Sequence, residues 1–152
     1  PSESAPGLVG SEMCIRHRKG RLGLVIDATG RDKTVISRQH SMLSALGYDC
    51  YMIFVNTSLE VAMERNKTRS RSIPEYIVKN SWNKVQQNIG SFQHMFRASN
   101  MLIIDNNRSE AELVSNTIRT ASSYIRRQIR TNPTNYIAKQ WIAKELEAKK
   151  RI

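Results

Sequence analysis

The sequence has few of the residues and runs that mark secreted, metal-binding or membrane proteins. Its 152 residues include two cysteines and three histidines, which show no metal-ligand spacing. The longest apolar runs, residues 22–26 and 51–55, have five residues each, far below the roughly 20 needed to cross a bilayer. These absences favour a protein of a reducing cytoplasm, without a membrane span and without a Cys/His metal site.

The charge is strongly unbalanced towards cations. Lys and Arg number 24 against 13 Asp and Glu, which gives a net charge of +11. Residues 113–152 contain nine Lys or Arg against Glu145 and Glu147, so this segment carries +7 of the total. The charge predicts an anionic partner such as nucleic acid or nucleotide phosphate, although it concerns association and not fold.

Apolar periodicity predicts alternating strands and helices. Near-continuous apolar segments flanked by glycine or polar residues predict buried strands at 22–26, 48–55 and 101–104. Helical spacing predicts helices at 35–46, 58–66, 75–89 with a resumption to 96, 110–130 and 136–150. The β-α-β-α-α-β-α order predicts an α/β fold with a mainly parallel sheet and right-handed crossovers.

Three regions differ in composition. Residues 1–19 are small and polar without periodicity, which predicts an unstructured or non-native leader. Residues 20–131 contain the alternating pattern and form the predicted main domain. Residues 131–135, TNPTN, break the preceding helix, and residues 132–152 then form a basic amphipathic C-terminal helix.

Polar residues follow the predicted strands. Asp27 and Thr29 come after the first strand, Asn56 and Thr57 after the second, and Asp105 after the third. Ligands of open parallel sheets bind beyond the carboxyl ends of the strands. An aspartate directly after a buried strand is placed like the acid that holds nucleotide-bound magnesium. The alternative for Asp27 is a cap on the following turn.

A cluster of four cations lies between two predicted helices. Arg65, Lys67, Arg69 and Arg71 fall within seven residues, and Pro74 follows closely. Four cations repel one another, so the segment is stabilised if it closes over a polyanion. This predicts a lid that neutralises phosphate charge and excludes water; the alternative is a solvated basic loop.

The segments VIDATG, GYDCYMIFVNTSLEVAMERNKTRSRSIP, YIVKNSWNKVQQNIGSF and LIIDNN together resemble the P-loop kinases of the zeta-toxin and phage polynucleotide kinase-like group, in particular zeta-toxin-like proteins of tailed phages. The resemblance covers residues 20–107. It implies a P-loop NTPase-like parallel sheet, ATP-dependent phosphoryl transfer with ATP and Mg²⁺ as cofactors, and a location in the bacterial host cytoplasm. The implied acceptor is a nucleic-acid end, a nucleotide sugar or another small hydroxyl compound.

The resemblance also implies roles for individual residues. Asp27 would hold the magnesium through water, and the lid arginines would contact the donor phosphates. Residues 105–107 would lie near the adenine. The implied catalytic residues are Asp27, Arg65, Arg69 and Arg71, and the implied cofactor-binding residues are Thr29, Gly30, Asp105, Asn106 and Asn107.

The chain departs from the family pattern in two respects. No G-x-x-x-x-G-K-[ST] loop occurs, although that loop supplies the backbone donors, the lysine and the magnesium-binding hydroxyl. The acidic residue that deprotonates the acceptor is also missing. We expect both to lie upstream of residue 1, which makes this chain a C-terminal part that is inactive alone, poorly stable and without ATP binding at millimolar nucleotide. The alternative is a non-catalytic module that binds nucleic acid through the basic cluster and the C-terminal helices.

Overall fold

The computed structural model describes residues 22–107 and 110–151, so the predicted leader at 1–19 lies outside the described residues. Five α-helices, two strands and one 3₁₀ helix form this part of the chain. In order, they are α1 Lys33–Ala45, β1 Met52–Asn56, α2 Leu59–Thr68, α3 Glu75–Phe96, the 3₁₀ helix Ala98–Asn100, β2 Met101–Asp105, α4 Glu110–Arg130 and α5 Tyr136–Lys149.

The two strands pair in parallel. The register runs from Met52 opposite Met101 to Asn56 opposite Asp105. The connection between them contains α2 and α3, as a parallel pair requires a crossover. The predicted α/β class with a parallel sheet is confirmed at this level, and the predicted strands 48–55 and 101–104 correspond to β1 and β2.

The strand predicted at 22–26 is wrong. Residues 22–29 have no regular secondary structure, and the side chains of Leu22 and Val25 are 55% and 96% exposed. The Tyr48 hydroxyl donates a hydrogen bond to the carbonyl of Leu22 at 3.1 Å. In the described part of the chain, β1 and β2 pair only with each other. An apolar run becomes a buried strand only where a neighbouring strand completes its ladder; this run has no such partner among the described residues, and Leu24 and Ile26 are only partly buried.

The long helix α3 organises the fold. It runs for 22 residues without the predicted interruption after residue 89. Gly90 has nothing within 4 Å of where a Cβ would stand, so its cost of about 1 kcal/mol relative to alanine is not offset by close packing, and the helix continues nevertheless. Its apolar side chains at Val85, Ile89, Phe92 and Phe96 recur at helical spacing and pack together.

The core is small and centres on α3. Phe92 is fully buried, and its cluster includes Ile36 of α1, Phe54 of β1 and Phe96. In the described residues seven hydrophobic side chains are buried, whereas fourteen large ones are exposed. Since burial of apolar surface is the main favourable term in folding, this ratio supports the expectation of low stability.

The predicted helix breaker before α5 has a second role. The Asp49 carboxylate accepts hydrogen bonds from the backbone N–H of Thr134 at 2.7 Å and from its hydroxyl at 2.6 Å. Asn135 donates to the carbonyls of Ser44 and Tyr48 and caps α5 by accepting from the N–H of Ile137. Residues 131–135 therefore fasten α5 to the turn between α1 and β1.

No helix in the described residues is long and apolar enough to cross a membrane.

Candidate functional site

The carboxyl ends of the two strands form a hydrogen-bonded polar edge. The N–H of Asn106 donates to the carbonyl of Asn56 at 2.8 Å, which extends the ladder by one residue. The Asn106 side-chain amide also donates to the Thr57 hydroxyl at 3.4 Å. The fold thus brings together polar residues that lie about 50 positions apart in the sequence and that the sequence places after two different strands: Asn56, Thr57 and residues 105–107.

Asn107 connects this edge to the start of α2. Its side-chain oxygen accepts from the N–H of Ser58 at 2.6 Å, and its amide nitrogen donates to the Asp105 carboxylate. The N–H of Asn107 donates to the same carboxylate at 3.2 Å. Ser58 in turn caps α2 by accepting from the N–H of Val61. These contacts hold residues 105–107 in a fixed turn directly beyond β2.

Two side chains of α3 brace the same edge. Trp82 donates its indole N–H to the carbonyl of Thr57 at 2.7 Å, and Gln86 donates to the side-chain oxygen of Asn56 at 2.9 Å. Both α3 residues are partly buried. The carboxyl end of β1 therefore lies beside the turn of α3 that contains Trp82 and Gln86.

The segment that contains Asp27 and Thr29 leads into a turn at Gly30 that packs against α3 and β1. Both side chains are exposed. Gly30 follows with φ +73°, and a Cβ at this position would lie 3.8 Å from atoms of Phe54, Phe92 and Val85. Gly30 is thus a left-handed turn residue beside the core. Its carbonyl accepts a hydrogen bond from Asn88 at 3.0 Å.

The described residues offer little for metal-centred or thiol chemistry. Within residues 22–107 and 110–151, no group of three or more His, Cys, Asp or Glu side chains could hold a metal ion. Burial raises the pKa of the Cys50 thiol; the nearby Ser44 hydroxyl lowers it by a smaller amount. A partly buried thiol whose pKa is raised carries little thiolate at neutral pH and is a poor nucleophile.

The basic cluster lies on a closed loop between α2 and α3. Asn66, a buried side chain, accepts from the N–H of Ile73 at 3.1 Å and donates to the carbonyl of Ile73 at 2.8 Å. This pair of bonds closes the chain across residues 67–72. Lys67 forms an ion pair with Glu75 at 3.4 Å. Arg69 and Arg71 are exposed on the loop, whereas Arg65 is partly buried on the last turn of α2.

The loop lies on the carboxyl-end side of the sheet. Helix α2 leaves the end of β1 and runs for 10 residues to Thr68. Helix α3 begins at Glu75, and Trp82, seven positions further along it, donates a hydrogen bond to the carbonyl of Thr57. At 1.5 Å per residue, α3 therefore begins about 10 Å before the level of Trp82 along its own axis. The arginine loop precedes the turn of α3 that contacts the carboxyl end of β1.

The sequence does not reveal which side chains build this site. Asn66, Trp82, Gln86 and Asn88 each bond to backbone or side-chain atoms 7 to 58 positions away. For Asn66 one signal exists, because asparagine near a helix end is a common partner for exposed backbone groups. The other three contacts depend on where α3 packs.

No protein-family model matches the chain, and neither the curated proteins nor the solved structures gave a match.

Proposed function

We propose that the chain is the lid-bearing part of an ATP-dependent phosphotransferase of the P-loop kinase type, similar to the zeta-toxin and polynucleotide kinase-like group. The glycine loop would come from outside the 152 residues, which contain no G-x-x-x-x-G-K-[ST] sequence. The acceptor would be a hydroxyl group of a nucleic acid or of a nucleotide sugar. ATP would supply the phosphoryl group.

One observation carries the proposal: an arginine-bearing loop, closed by Asn66, extends beyond the carboxyl ends of a parallel strand pair. Parallel α/β sheets bind their ligands on this side. Arg69 and Arg71 are exposed there, and a guanidinium matches phosphate oxygens in both charge and geometry. Phosphoryl transfer depends mainly on positioning and charge stabilisation, which such a loop supplies.

The remaining residues fit the same scheme. Asp27 would hold Mg²⁺ through water, as the resemblance implies, although residues 22–26 before it form no strand; its exposed carboxylate is accessible to a hydrated ion. Asp105, Asn106 and Asn107 would border the base of the nucleotide, since their turn is fixed beyond β2. Thr29 would lie between these two groups of contacts.

The test uses the complete reading frame that contains these residues. We expect it to encode a G-x-x-x-x-G-K-[ST] loop upstream and to transfer the γ-phosphate of ATP, whereas the 152 residues alone should transfer none. Arg69→Ala and Arg71→Ala should each lower the transfer rate about 10- to 100-fold, which corresponds to the loss of one charged hydrogen bond. Transfer is measured with γ-³²P-labelled ATP.

Arg126→Ala is the matched control, because Arg126 is also exposed but lies on α4. It should leave the transfer rate within about twofold of the wild type. A reading frame without a glycine loop, or equal effects of Arg71→Ala and Arg126→Ala, would contradict the proposal.

A second candidate function is sequence-independent nucleic-acid binding. The observation that favours it is the run of exposed arginines on α4, Arg119, Arg126, Arg127 and Arg130, with no Asp or Glu between residues 115 and 144. Such a surface attracts the phosphate backbone and releases counterions on binding.

Salt concentration and two substitutions distinguish nucleic-acid binding from phosphoryl transfer. If nucleic-acid binding is the main function, affinity for DNA should fall steeply between 50 and 200 mM salt, roughly tenfold or more for a few phosphate contacts. Asp27→Ala should leave this affinity unchanged, whereas Arg126→Ala should reduce both the affinity and its salt dependence. Electrophoretic mobility shifts at several salt concentrations measure both.

A further inference from the structure

A cleft of about 530 Å³ lies between the start of α1 and the middle of α3. Arg31, Lys33 and Lys84 line it, together with Asp32, Asn88 and other uncharged polar residues. Lys84 lies nine positions beyond Glu75 on α3, so the cleft is about 14 Å along that helix from the arginine loop. It is therefore a separate feature of the surface.

The charge of the cleft is positive. Three cations face one carboxylate, and that carboxylate is already engaged. Asp32 is the N-cap of α1 and accepts from the N–H groups of Thr34 at 3.0 Å and Val35 at 3.3 Å. The N–H groups of Thr34 and Val35 at the N-terminus of α1 are therefore already bonded to Asp32. An anion in the cleft would be attracted by the three side-chain cations instead.

The walls of the cleft are fixed without a ligand. The side-chain amide of Asn88 donates to the carbonyls of both Gly30 and Arg31 at 3.0 Å, which fastens the segment before α1 to α3. Lys33 donates to the hydroxyl of Ser91 on α3 at 3.5 Å. A site whose backbone is already in place loses less entropy when it binds a ligand than one that must first assemble.

We propose that this cleft binds a phosphomonoester or diphosphate group, as found on a nucleotide or on a phosphorylated nucleic-acid end. Its volume lies within the range of roughly 300 to 1,000 Å³ that is typical of small-molecule sites. Three cations from two elements match a multiply charged anion better than a carboxylate with one charge. This inference does not depend on the proposed phosphotransferase activity.

The test is isothermal titration calorimetry at low ionic strength, in which the 152-residue chain is titrated with inorganic pyrophosphate and, separately, with AMP. Saturable binding at one site is expected for both, whereas adenosine should not bind. Lys33→Gln and Lys84→Gln should each weaken binding about fivefold to tenfold. Both residues are exposed, so circular dichroism should show the same helix content in the variants.

Lys79→Gln is the matched control, because Lys79 is an exposed lysine of the same helix and does not line the cleft. It should weaken binding less than about twofold. An equal effect of Lys79→Gln and Lys84→Gln would show that net charge and not the cleft attracts the anion, and would overturn the inference. So would the absence of saturable binding, or binding of adenosine as tight as that of AMP.

A 5′-phosphorylated and a 5′-hydroxyl dinucleotide distinguish the two sources of the phosphate group. Tighter binding of the phosphorylated dinucleotide than of AMP indicates a nucleic-acid end, and the reverse order indicates a free nucleotide.

Discussion

Phe92→Ala is expected to leave the chain without a cooperative unfolding transition. Phe92 is fully buried at the centre of the cluster formed with Ile36, Phe54 and Phe96. Truncation of a buried phenylalanine to alanine costs about 3 to 5 kcal/mol, because the transfer free energy is lost and a cavity remains. Small domains have only about 5 to 15 kcal/mol of stability in total, and this core is small.

The measurement is urea unfolding followed by near-ultraviolet circular dichroism, in an excluded osmolyte that raises the stability of both proteins. The wild type should then show a transition, and Phe92→Ala should not. Tyr76→Ala is the control, since Tyr76 lies on the same helix and is 67% exposed; its effect should stay within about 0.5 kcal/mol. A transition in Phe92→Ala with an unchanged midpoint would contradict the assignment of this core.

Asn66→Ala is expected to open the arginine loop. The substitution removes both hydrogen bonds to Ile73 and leaves the N–H and the carbonyl of Ile73 without these partners. Each unsatisfied group costs about 1 to 3 kcal/mol if it stays buried, so the closed loop should lose roughly 2 to 6 kcal/mol. The loop would respond by opening to water.

Limited proteolysis with trypsin measures this opening, because Arg69 and Arg71 lie within the loop. Cleavage there should accelerate tenfold or more, since about 1.4 kcal/mol corresponds to a tenfold change in the open population. Asn80→Ala is the control, as Asn80 is an exposed asparagine of α3, and it should leave the cleavage rate unchanged. An equal cleavage rate in Asn66→Ala and the wild type would mean that other contacts close the loop.

Much of the secondary structure follows from local pattern. The sequence predicts the strands at β1 and β2 and each of the five helices, with most boundaries within a few residues of those observed. These elements have clear apolar periodicity and nearby glycine, proline or capping residues, which act over a few positions. The α/β class with a parallel pair follows from their order.

The segment at residues 22–26 shows the limit of this reasoning. Its composition is that of a buried strand, yet Val25 is 96% exposed, because whether an apolar run is buried depends on what lies beside it. The residues of the cleft could not be predicted from the sequence either, because they come from distant positions. The cleft residues Arg31 and Lys84 are 53 positions apart. Tertiary contacts bring their segments together, among them the hydrogen bonds of Asn88 to the carbonyls of Gly30 and Arg31.

The register of the sheet has a consequence for how the chain folds. Met52 pairs with Met101 across 49 intervening steps of the chain, so the strands cannot meet as a hairpin does. Closing so long a connection costs conformational entropy before any ladder bond forms, and non-local pairing of this kind slows folding. Helices α2 and α3 form from neighbouring residues and shorten that connection. We therefore expect the sheet at the centre of the site to form as the helices dock and not to nucleate folding.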